Sequence, residues 1–173
     1  MNRSLLCAIG EILRQGESLL HALDDETYTR ILPQAFNSAV GGHYRHCLDH
    51  FQCLLDGLDA GTVNYDQRQR DRRIETDRQF AIAETRRLHR ACQTIAPGAL
   101  DLPIHVRSKV SYGGSESPAM MSTVGREVTY TVAHAIHHYA LLGIMCGLMG
   151  IGLPPGFGVA PSTLEHEEAL AVA

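Results

Sequence analysis

Two stretches of this 173-residue chain, "RHCLDH" at 45–50 and "AHAIHHYA" at 133–140, hold five of its ten histidines. A neutral imidazole offers a lone pair to a metal ion and can move a proton near pH 7. On a helix turning about 100° per residue, His134 and His138 share one face. Their Cβ atoms are then about 6 Å apart, a spacing that lets two nitrogens meet one ion at about 2.0–2.1 Å. His43, His46 and His50 occupy one narrow stripe of another helical segment, so a third imidazole from a facing helix completes a three-ligand set. Both stripes border apolar arcs: Phe51, Leu54 and Leu58 beside the first, Leu141, Met145 and Leu148 beside the second. Burying an unpaired polar group costs ~1–3 kcal/mol, so imidazoles at a core edge need specific hydrogen bonds or a shared cation. Helical geometry alone leaves the choice among His43, His46 and His50 open.

Two carboxylates stand near these stripes. Glu127 lies seven residues before His134 on the same line. It reads either as a catalytic group reaching a substrate or the ion's outer shell, or as a helix-start carboxylate favoured by the dipole. Asp49 reads either as the group that orients the N–H of His46 or as an ion-pair partner of Arg45. Arg45 and Arg126 could receive an acidic substrate or stand solvated. Three neutral histidines leave an ion its double positive charge and open positions, which suits activating water, polarising a carbonyl or holding a thiolate.

Four long amphipathic segments must position these groups. Residues 4–23 place Leu5, Leu6, Ile9, Ile12, Leu13, Leu19, Leu20 and Leu23 at helical spacing. A second helix is expected from about Phe36 to Leu58, and a third, strongly polar one from about Asp66 to Ile95. Ile104, Val106, Val110 and Tyr112 alternate with polar residues, which predicts an extended stretch with a small hairpin around Gly113-Gly114. Ser122 or Thr123 can cap a fourth helix running to about Gly147 or Gly150. Proline and glycine in "GIGLPPGFGVAPSTL" predict an irregular ending. The expected architecture is all-α: a four-helix bundle with a short extended crossover before the last helix, one domain over 1–163 and a mobile tail over 164–173.

The residues reached so far resemble the DinB/YfiT-like superfamily of four-helix bundles. That family's pattern is a histidine followed three positions later by an acidic residue, then H-x-x-x-H on the last helix. His46 with Asp49 matches the first part, and His134 with His138 the second. The resemblance implies an up-down-down-up bundle with a divalent metal, zinc or nickel, held by His46, His134 and His138, with His50 as fallback. It implies, as is frequent in the family, a homodimer, but no particular reaction. Since relatives include metal-dependent hydrolases and low-molecular-weight-thiol-dependent transferases, such activity on a small-molecule substrate is the expectation carried forward. The alternatives are a non-catalytic bundle with a structural ion and a helical interaction protein whose histidines are incidental.

Composition narrows the rest. A formal charge of −4 with no tryptophan disfavours a nucleic-acid partner. "RQRDRRIETDR", residues 68–78, is mixed in sign and reads as a solvated helix face. "YALLGIMCGLMGIGL", residues 139–153, falls short of the ~20 residues of a membrane span, so no membrane partner is expected. Five cysteines without C-x-x-C spacing, and a start lacking a secretory signal, predict reduced thiols in a cytoplasmic protein.

Overall fold

A computed structural model describes residues 2–113 and 117–172. The chain opens with α1 (Asn2–Ala22), whose Ile9, Ile12, Leu13, Leu19 and Leu20 are buried along one stripe. This is the i, i+3, i+4 pattern of a core-facing helix. The short α2 (Asp25–Thr29) starts where the Asp24 carboxylate accepts the Thr27 amide at 2.7 Å. It buries Tyr28, whose hydroxyl donates to the carbonyl of Ile74.

Phe36 and Asn37 take left-handed backbone conformations, which delays α3 to Val40–Ala60. Gly61, also left-handed at φ 64°, ends it and turns the chain into β1 (Thr62–Asn64). The polar stretch after it is two helices, α4 (Arg72–Thr76) and α5 (Arg78–Cys92). Asp77 separates them by capping the second, its carboxylate accepting the Phe80 amide at 2.9 Å.

The extended crossover is larger than expected. β2 (Pro103–Arg107) pairs in parallel with β1 and antiparallel with β3 (Ala119–Thr123), giving a three-stranded sheet of order β1-β2-β3. The all-α expectation is therefore corrected: the protein is mostly helical with a small sheet. The missed strand, "TVN", is too short to show an alternation. Gly114 of the expected hairpin tip lies outside the described residues.

α6 (Val124–Leu148) follows directly, with the Thr123 hydroxyl accepting the Arg126 amide as its cap. At 25 residues and a mean hydropathy of 1.2 over its most apolar window, α6 is long and apolar enough to cross a membrane by length and composition. Here it packs against α1 and α3. The irregular tail is also corrected. Residues 161–172 form α7 (Pro161–Val172), because a proline at the first helical position starts a helix without losing a hydrogen bond.

The four long helices share one core. α1 contacts α5 and α6, and α3 contacts α4, α5 and α6. Tyr44 and Tyr139 stack across that core, ring centroids 6.3 Å apart. The five cysteines are free thiols, four of them buried.

Candidate functional site

The histidines of α3 and α6 meet where the two helices face one another. One nitrogen from each of His46, His134 and His138 lies within 4.8 Å of the others. His46 and His134 share a hydrogen bond between their Nε2 atoms across 2.9 Å. Two nitrogens on a tetrahedral ion at about 2.05 Å would stand roughly 3.3 Å apart, so this pair is already within a few tenths of an ångström of that spacing. All three residues are partly exposed, which leaves a path from solvent.

Two further imidazoles fix this arrangement. The Nδ1 of His43 lies 3.4 Å from the Nδ1 of His138, in hydrogen-bond contact. Such contacts set the tautomer and heading of a ligating ring. His50 is buried, and its Nδ1–H donates to the carbonyl of His46 at 2.9 Å. Its ring lies over His134 with centroids 4.1 Å apart. It joins the cluster but lies outside the convergent three.

Burial holds these rings neutral. It pushes the protonation of His50, His134 and His138 down to about 4 and that of His46 further. The neighbouring imidazoles add to this, as does the Arg68 guanidinium at His46, His50 and His134. Neutral imidazole is the form that binds a cation, so the donor set fits a divalent transition metal.

The two carboxylates do other things. Asp49 is only 5% exposed, and its Oδ2 accepts from Arg45 Nη1 at 2.5 Å. Arg45 also reaches Glu75 at 2.6 Å, and Arg68 stands 3.9 Å from Asp49. Asp49 is thus a partner of Arg45, but in a buried network rather than on the surface. Glu127 is fully buried. It accepts hydrogen bonds from Tyr65 at 3.0 Å, Ser122 at 2.6 Å and Arg126 at 3.1 Å. Sequence reasoning missed Tyr65, whose ring stacks on His50 at 5.2 Å and lies 5.1 Å from Tyr130. Tyr130 in turn lies 5.7 Å from His134. Glu127 therefore anchors an aromatic wall beside the imidazoles. The signal in sequence was weak: one tyrosine just past a strand of three residues.

No family model and no solved structure matches the chain. Over 104 residues, 60% of its length, it is 35% identical to a protein named FK506-binding protein 5 from Rhizopus delemar. The chain spans about a quarter, 27%, of that relative's length. This overturns the resemblance to the DinB/YfiT-like superfamily, and with it the metal-dependent hydrolase or thiol-dependent transferase read from it. The relative does not favour the non-catalytic structural alternative either. The physical reason is that two histidines four apart opposite a third express geometry, which any pair of facing helices can reach, and carry little about ancestry.

Proposed function

We propose that the facing histidines of α3 and α6 form a cation site. In this reading α1, α3, α5 and α6 form a four-helix bundle that holds one divalent transition-metal ion, zinc or nickel, through His46, His134 and His138. The observation that carries it is the convergence of three imidazole nitrogens from two helices within 4.8 Å. Three neutral donors suit such an ion and leave coordination positions for an external ligand. The five free thiols fit a reducing compartment.

Metal analysis of protein purified without chelator tests the reading, with about one equivalent of transition metal expected. His134→Ala and His138→Ala should each abolish stoichiometric binding, whereas His105→Ala, an exposed β2 residue, should retain it. Less than a tenth of an equivalent in the parent protein, or equal content in all three variants, overturns the assignment.

The relative supports a second reading, FK506 binding and with it the peptidyl-prolyl isomerisation that the name suggests. A groove of about 500 Å³ runs between α1 and the start of α6, lined by Leu5, Ala8, Leu100, Thr123 and Arg126. Calorimetric titration with FK506, together with a prolyl cis–trans assay on a short peptide, tests it. No binding heat and no acceleration would remove this reading and leave the cation site untouched.

A further inference from the structure

Among the described residues, the carboxylates around the three imidazoles are already engaged by other groups before any ion is added. Arg45 and Arg68 face Asp49 and Glu75. Arg126 faces Glu127. Asp66 accepts from Ser117 and from the Lys109 amide. The convergent donor set itself contains no carboxylate. A divalent ion held there would carry two positive charges that no carboxylate of the donor set offsets.

Arg68 makes that imbalance sharper. Its side chain is 19% exposed, and its Nη1 donates to the carbonyl of Tyr65 at 2.6 Å. Its Nε is buried without a hydrogen-bond partner among the described residues. The nearest carboxylate oxygen, Oδ2 of Asp49 at 3.9 Å, is already engaged by Arg45 at 2.5 Å. A buried guanidinium donor without an acceptor is costly, and its planar fork matches a carboxylate. The Tyr65 carbonyl fixes Arg68 on the side of the cluster where Tyr65 covers His50.

Building on the cation reading above, we propose that the ligand of this site is a small carboxylate, its negative charge shared between the bound cation and Arg68. Tyr130, partly exposed beside His134 and backed by the buried Tyr65, gives the carboxylate's organic part an aromatic neighbour. Neither partner suffices alone. A lone guanidinium near the surface binds an anion weakly, and an ion ligated only by neutral imidazoles does not select carboxylates over other anions.

Cobalt(II) replaces the native ion as a visible probe, and acetate is the ligand titrated. Wild-type protein should take up one equivalent of cobalt, and acetate should then change its visible absorption saturably. Arg68→Gln should keep the cobalt and weaken acetate at least tenfold. Arg68→Lys, which keeps the charge but loses the fork, should fall between the two and still reports if the glutamine variant fails to fold. Stoichiometric cobalt with no acetate response, or wild-type acetate affinity in either variant, overturns the carboxylate proposal and leaves the cation reading standing. No cobalt uptake by wild-type protein overturns both.

Discussion

The imidazoles at the meeting of α3 and α6 are kept neutral by burial, and this makes the metal-free protein sensitive to acid. In the folded chain His50, His134 and His138 take up a proton only near pH 4, against an ordinary value of 6.5. Unfolded, the same rings bind protons once the pH drops below about 6.5. Between roughly 6.5 and 4 the unfolded state therefore holds more protons, so stability rises with pH there and is lost as the pH falls. Thermal melts of the metal-free protein should show a midpoint that is level above pH 7 and falls steadily from pH 6.5 to 4.5. A flat profile across that range would mean the rings are not held neutral. At this scale the sequence was informative about residue type and phase, since His46, His134 and His138 sit on the expected faces. It was less informative about partners. Beyond the Asp49–Arg45 pair within α3, which was one of its two readings for Asp49, it did not foresee that Glu127 holds Tyr65, because that contact depends on another element, and β1 and its tyrosine left no periodic trace.

Among the elements, the α1–α6 contact depends on a missing side chain. Gly16 of α1 faces the hydroxyls of Tyr139 and Tyr44, and a Cβ there would stand 2.1 Å and 2.6 Å from them. Both rings are fully buried and stacked, so they cannot swing aside. Gly16→Ala should destabilise the protein by ~1–3 kcal/mol, although alanine is the better helix former. Chemical denaturation would measure it, and a stabilised variant would show that the two helices can separate to admit a methyl group. The long helices α1, α3 and α6 were legible because an apolar stripe repeated over five or more turns survives local noise. The third was read as continuous because "RQRDRRIETDR" offers no apolar break, whereas the actual stop is Asp77 capping α5. The last helix was missed for the opposite reason. Its proline and glycine neighbours were weighed as breakers, although Pro161 stands at the one helical position that tolerates it.

Over the whole molecule, the thiols report on folding. Cys7 is exposed, while Cys47, Cys53, Cys92 and Cys146 are buried. Burial raises the protonation of Cys53 and Cys146 to about 11 and of Cys92 to about 12. Since the thiolate is the reactive form, native protein should show one fast-reacting thiol with an aromatic disulfide reagent and four slow ones. The slow four should become fast together in denaturant, as expected if one cooperative core covers them. Two or more fast thiols under native conditions would point to a core that opens in parts.

The join between sheet and helix has a consequence for how much change the chain tolerates. Thr123 ends β3 opposite Pro103 and also caps α6, and the Val124 amide donates to the carbonyl of Leu102 at 3.0 Å. The azimuth of His134 and His138 is thereby set by strand register, not by the chain between Arg107 and Ala119. Residues gained or lost in that connection leave both rings aimed at His46. One residue added between Thr123 and Val124 would rotate them by about 100° and point them away, with every helix still intact.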